Sequence, residues 1–210
     1  MRPITFTRSQ PVAAPASVAA AQVLNTTTVS VNGTLASGGV AMYTVSAYPT
    51  VTADSNATGK VFTVVGTRPG GDAQTDTITF AAASGTVTGS LAFATVTGIT
   101  ASAATSATIS VGNAASGYTD WMPLDIYTPN QVTTISGTTS GTVSYSVEYT
   151  NEDPFDRSIQ QQAVAHPVAT LTNASTSITA FTTTLMRAIR LKILSGAGSV
   201  RFTAVQQSTK

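Results

Sequence analysis

Apolar and polar positions alternate in short runs along most of this chain, and turn residues punctuate the runs. The clearest run is Gly141–Thr150: Val143, Tyr145, Val147 and Tyr149 fall on one side, Ser144, Ser146 and Glu148 on the other. Successive strand side chains point to opposite faces, so this spacing predicts a half-buried strand. Arg187–Leu194 repeats the pattern, with Ile189, Leu191 and Ile193 inward and Arg190 and Lys192 outward. With Ser199–Gln206 it flanks Ser195-Gly196-Ala197-Gly198, which reads as a hairpin loop. In Val40–Ala47, Ala41, Tyr43 and Val45 alternate with Met42, Thr44 and Ser46. Thr28–Val31, Val61–Val65 (a central strand), Thr75–Ala81, Leu91–Thr97 and Ala107–Val111 complete the set. Asn32-Gly33 is a strong hairpin signal, because both residues tolerate positive φ. Gly38-Gly39 and Arg68-Pro69-Gly70-Gly71-Asp72 read as turns, and no glycine spacing matches a phosphate cradle.

No helical period is sustained, so the fold class is all-β. Strands this short and this regularly punctuated suggest two small β-sandwich or barrel-like domains. Residues 28–113 form the first and 120–210 the second, with 114–119 as linker. An extended N-terminal arm, residues 1–27, precedes them. Within it Ile4–Arg8 has the makings of a strand and Ser17–Leu24 of a short helix. The arm's expected role is a strap lying on a neighbouring subunit.

Composition sharpens this. Charged residues make up 9% of the chain, and none occurs between Asp76 and Asp120. Leu, Ile, Val and Phe supply 46 of 210 residues, just above the roughly 20% level below which chains tend to stay disordered. The core is therefore thin and built largely from β-branched side chains. Thin cores usually lean on disulfides, metals or partners. With no cysteine and one histidine, oligomerisation is the expected support, and no cofactor is implied. A net charge of +1 gives no field to recruit nucleic acid or an anionic membrane. Pro11 and Pro15 break the Ala-rich N-terminal stretch, so neither a leader peptide nor a membrane span is expected. The N-x-Ser/Thr triplets at Asn25, Asn32, Asn56 and Asn173 are expected by chance in so Thr-rich a chain.

Few residues can carry chemistry. His166, inside Ala165-His166-Pro167, would have to serve any Ser-His-Asp triad, yet no Gly-x-Ser-x-Gly elbow accompanies it. Glu148, Glu152, Asp153 and Asp156 form the densest acidic group. It matches no calcium-loop spacing and is expected to be a solvated strand-to-loop corner rather than a carboxylate pair. Arg187, Arg190, Lys192 and Arg201 form a basic stripe on the expected C-terminal hairpin, without the interleaved aromatics of a nucleic-acid binder. Trp121, Tyr127 and Phe155 either fill the second core or offer an aromatic platform. No catalytic, cofactor or metal residue is assigned, and an enzyme is not expected.

Two stretches carry a resemblance. Asn32–Val65 is one; the other runs from Asp120-Trp121-Met122-Pro123-Leu124-Asp125 through Gly141–Asp156 and Ala165-His166-Pro167 to Ala188–Val205. Together they resemble structural proteins encoded in the virion gene clusters of tailed bacteriophages, most nearly a head decoration or minor capsid protein. The resemblance implies a non-enzymatic virion component that binds the major capsid protein or other virion structural proteins and forms a trimer or ring. A neck, tail or fibre component and a host-surface or carbohydrate-binding module are the alternatives. The resemblance transfers no functional residue.

Overall fold

The structure is a computed structural model that describes residues 3–9, 11–127, 131–156 and 163–208. It is all-β: antiparallel strands account for nearly every regular element, and Ala169–Leu171 is the one helical turn among the described residues. The chain forms two compact units, Pro11–Gly117 and a second made of Met1–Gln10 together with Tyr118–Lys210.

In the unit Pro11–Gly117 two sheets enclose one core. The larger places Ala36–Ser37, Val40–Ala47, Phe93–Ala101, Val61–Thr67 and Ala73–Thr79 side by side, with Thr28–Val29 also paired to Phe93–Ala101. The smaller orders Ala14–Leu24, Thr105–Asn113, Pro49–Ala53 and Gly85–Thr88. Phe62, Val64, Ile78 and Val96 from the first sheet join Val18, Val51, Ile109 and Val111 from the second. Val61–Thr67 lies inside its sheet, as its apolar residues predict. The expected Asn32-Gly33 hairpin does not form. The reversal falls instead at Gly38-Gly39, both at positive φ, which pairs Ser37 with Val40. Asn32-Gly33 lies against the chain at Ser17–Ala20: the Gly33 N–H donates to Val18 O at 2.9 Å, and Asn32 Oδ1 accepts from the Ala20 N–H at 2.9 Å. A Cβ on Gly33 would collide with the Ser17 backbone, so glycine serves close approach there, not a turn.

In the other unit one sheet orders Ile4–Ser9, Ser199–Ser208, Gln131–Ser140 and Ile178–Thr182. The other centres on Val143–Thr150 and Ala188–Gly196, with Met122–Pro123 and His166–Pro167 at its margins. Leu191, Ile193, Val147, Phe202 and the wholly buried Tyr145 fill the space between them. The expected C-terminal hairpin is corrected here. Ser140 stands opposite Ser199 and Val143 opposite Gly196, so one antiparallel ribbon runs through both sheets and bends between them. At the bend Thr142 O accepts the N–H groups of Ala197 (2.7 Å) and Gly198 (2.8 Å). A Cβ on Gly196, at φ 111, would overlap that same carbonyl. Ser195–Gly198 is thus a corner from sheet to sheet, and the strands on either side of it pair with different partners.

The N-terminal arm is also corrected. Ile4–Ser9 is a strand, but it pairs within its own chain, Ile4 opposite Ala204 through Ser9 opposite Ser199. Phe6 stacks on Phe202 with ring centroids 5.1 Å apart. The expected helix at Ser17–Leu24 is part of an eleven-residue strand, Ala14–Leu24, whose Val18, Ala19 and Leu24 are core residues. It is tied to the last strand of its unit: Ser17 Oγ donates to Asn113 Oδ1 at 2.8 Å, and Asn113 Nδ2 donates to Val12 O at 2.7 Å. Residues 1–27 are therefore divided between the two units, and the unit Pro11–Gly117 is an insertion in the other.

Candidate functional site

The acidic and basic groups singled out in the sequence largely neutralise each other. Glu148 lies directly opposite Arg190 on the neighbouring strand. Arg190 Nε donates to Glu148 Oε2 at 2.7 Å, and Lys192 Nζ lies 3.5 Å from Oε1. Opposite charges facing across an antiparallel pair stabilise it. The Arg190 guanidinium also sits over the rings of Tyr118 (4.3 Å) and Trp121 (4.4 Å), within the reach of cation–π attraction. Trp121 is 6% exposed. It lies outside the intersheet cluster, packed against Arg190, and offers no open platform. Arg187 pairs with Asp153 at 3.3 Å and covers the half-exposed Phe155 ring at 5.3 Å.

The remaining acids shape their own loop. Glu152 Oε2 accepts the Val164 N–H at 2.8 Å, and Asp153 accepts the Phe155 N–H at 3.1 Å. The Asp156 N–H donates to Asp153 O at 3.2 Å, closing a turn. Arg201 lies on the other sheet from Arg190 and Lys192, so the stripe expected from the sequence is split. His166 is exposed on a marginal strand, its ring 5.4 Å from that of Tyr149. Among the described residues no three His, Cys, Asp or Glu side chains converge as a metal site requires. Tyr127 is 92% exposed.

The feature that sequence reasoning missed is the outer face of the larger sheet in the unit Pro11–Gly117. Thr28, Thr100, Thr63 and Thr77 stand opposite one another across four strands. Met42, Thr95, Thr67 and Ala73 make a parallel row, with the Thr67 and Thr95 hydroxyls 2.7 Å apart. Thr75, Thr79, Thr97 and Val65 extend the face, and all four are exposed. None of these residues is ionisable. The signal was present as threonines at every second position, Thr75-x-Thr77-x-Thr79 and Thr95-x-Thr97.

Such a face can pack on another flat surface without stripping water from a charge, which is the costliest part of closing an interface. With strands about 4.8 Å apart and about 3.3 Å per residue, four strands of seven residues present roughly 400 Å². A stable pairwise interface needs about 800 Å² per partner. One such contact is therefore weak, and several acting together are needed.

The same unit holds a buried carboxylate that explains how the margin of this face is finished. Asp76, 5% exposed, lies on Ala73–Thr79, the last strand of the sheet. It accepts from the N–H groups of Thr77 (2.9 Å), Ser90 (2.7 Å) and Leu91 (3.0 Å) and from the Ser90 hydroxyl (2.8 Å). An inward charge on an edge strand discourages another strand from adding there.

No protein-family model matches the chain, and no curated protein or solved structure matches it either.

Proposed function

We propose that this chain is a non-enzymatic virion structural protein of the capsid decoration type, holding the head together through many weak contacts with the major capsid protein and with its own copies. The observation that carries this reading is the uncharged threonine face, too small to bind alone and suited to repeated packing. The resemblance of Asn32–Val65 and Asp120–Val205 to tailed-phage structural proteins supports it. So does the fate of Glu148, Glu152 and Asp153, each held by a neighbouring cation or backbone N–H rather than paired across a cleft.

A neck, tail or fibre position differs in copy number, since such parts are present in far fewer copies than a head lattice site. The carbohydrate-binding alternative loses its Trp121 platform and retains only the exposed Tyr127. The test is to prepare particles from a phage lacking this gene and then add the purified chain back. Heads that leak DNA at lower temperature, and regain resistance with the added chain at lattice stoichiometry, are expected. Heads of unchanged resistance that bind none of the added chain would overturn the decoration role.

A further inference from the structure

Asn32-Gly33 is the one Asn-Gly pair in the chain, and the sequence contains no Asp-Gly. An asparagine followed by glycine loses its side-chain ammonia more readily than other asparagines, because no Cβ hinders the glycine nitrogen and its backbone turns freely. In this fold the pair forms no hairpin, and neither residue has positive φ.

Residues 30–35 are clamped instead along residues 17–22, within one compact unit. The Gly33 N–H donates to Val18 O at 2.9 Å, and the Leu35 N–H to Ser17 O at 2.8 Å. The Ala20 N–H donates to Asn32 Oδ1 at 2.9 Å. Gln22 holds the other end: its Nε2 donates to Ser30 O and its Oε1 accepts the Ser30 N–H, both at 3.0 Å. Asn32 is exposed, so water reaches it. The nitrogen and the carboxamide that would react are thus both committed to Ala14–Leu24. Taking the Gly33 proton would set a nitrogen anion against the Val18 oxygen, and turning Cγ toward that nitrogen would break the bond to Ala20.

We propose that Asn32-Gly33 is a guarded deamidation site, unreactive while residues 30–35 stay on Ala14–Leu24 and converted irreversibly once they lift away. In the open segment a base removes the Gly33 amide proton, and the nitrogen bonds to Asn32 Cγ. The Cγ–Nδ2 bond then breaks, and the nitrogen leaves as ammonia with a proton taken from solvent. Water opens the cyclic imide in one of two ways. Attack at Cγ restores the main chain and leaves an aspartate. Attack at the main-chain carbonyl carbon of residue 32 leaves Gly33 bonded through Cγ, an isoaspartate whose main chain is longer by one methylene. The aspartate still offers an oxygen to the Ala20 N–H. The isoaspartate does not fit, because at Gly33 even an added Cβ would collide with the Ser17 backbone. A chain that opens is thereby altered so that it cannot close again.

The full chain is incubated at mildly alkaline pH, in buffer and in guanidinium chloride. Residue 32 is followed by peptide mass spectrometry with fragmentation, and isoaspartate by enzymatic methylation. Conversion in buffer is expected to be at least about a hundredfold slower, since reaction through a rare open form tracks its population. Gln22→Ala removes two clamp bonds from a partly buried side chain. It should speed conversion in buffer about tenfold, with far-UV circular dichroism showing the chain still folded. The comparison of buffer with denaturant decides alone if that variant unfolds. After conversion, chains with aspartate at residue 32 should refold with the original urea midpoint, and those with isoaspartate should not. Asn32→Asp, expected to keep that midpoint, separates the added charge from the added methylene. Equal rates in buffer and denaturant, no preference for Asn32 over the other asparagines in denaturant, or isoaspartyl chains of unchanged midpoint would overturn the proposal.

Discussion

Replacing Asp76 with alanine removes a carboxylate that accepts three backbone N–H groups and one hydroxyl at 2.7–3.0 Å. Each hydrogen bond to a charged group contributes about 1.5–3 kcal/mol, and a buried donor left without a partner costs about 1–3 kcal/mol. The contributions are not additive, and the variant is spared the desolvation of the carboxylate itself. A net loss of about 3–5 kcal/mol is expected, a large share of the roughly 5–15 kcal/mol of an ordinary domain. With a urea slope of about 1–3 kcal/mol per molar, the midpoint falls by about 2 M. The single tryptophan, Trp121, lies in the other unit. Far-UV circular dichroism follows both units, while tryptophan fluorescence follows only the unit Met1–Gln10 with Tyr118–Lys210. Asp76→Ala should shift the transition of Pro11–Gly117 and leave the fluorescence transition in place. A midpoint unchanged for Pro11–Gly117, or an equal shift in both transitions, would refute the reasoning.

Gly137→Ala should destabilise the tryptophan-bearing unit by about 2–3 kcal/mol, because an added Cβ would lie 2.5 Å from Cζ of the fully buried Tyr145; an unchanged fluorescence midpoint in urea would contradict this. Burial raises the phenol pKa of Tyr43 in one unit and of Tyr145 in the other. The folded state therefore keeps these protons longer than the unfolded chain does. The stability this gives is present below about pH 10 and is lost as pH climbs through the raised folded values. Ultraviolet titration should show two of the six tyrosines ionising only as the units unfold, and Tyr43→Phe and Tyr145→Phe should each weaken the alkaline drop in its own unit. Deleting residues 1–9 uncovers Phe202 and should lower the stability of the tryptophan-bearing unit by about 3 kcal/mol. The same deletion should spare Pro11–Gly117, as thermal melts read by fluorescence and by circular dichroism would reveal.

Where large apolar and polar side chains alternate, the sequence was legible. Val143–Thr150 and Ala188–Gly196 form where their alternation places them, with Glu148 and Arg190 outward. Ala14–Leu24 was not legible, because a run of alanines and small residues gives no contrast between faces, and Pro11 and Pro15 suggest a broken arm. The partner of Ile4–Ser9 lies at the far end of the chain, and no local pattern announces such a pairing. Ser195–Gly198 has the residues of a hairpin turn. Whether a glycine-rich segment reverses within a sheet or bends between two depends on the matching bend at Gly141-Thr142, which only the register shows. The partnership of Glu148 with Arg190 and Lys192 likewise requires the register, so acids and bases that sequence alone treats as separate patches meet in one. Asp76 gave no sign of burial, since three of the four donors that satisfy it belong to Ser90 and Leu91, fourteen and fifteen residues further on.

The most direct test of the proposed virion role is an image reconstruction of the particle that the proposal implies, at a resolution that traces this chain. Many symmetry-related copies are expected on the head, with the face formed by Thr28, Thr63, Thr77 and Thr100 covered by a neighbouring molecule. Particles without the chain, or copies whose threonine face stands open to solvent on every side, would contradict the claim that this protein works by packing against its neighbours.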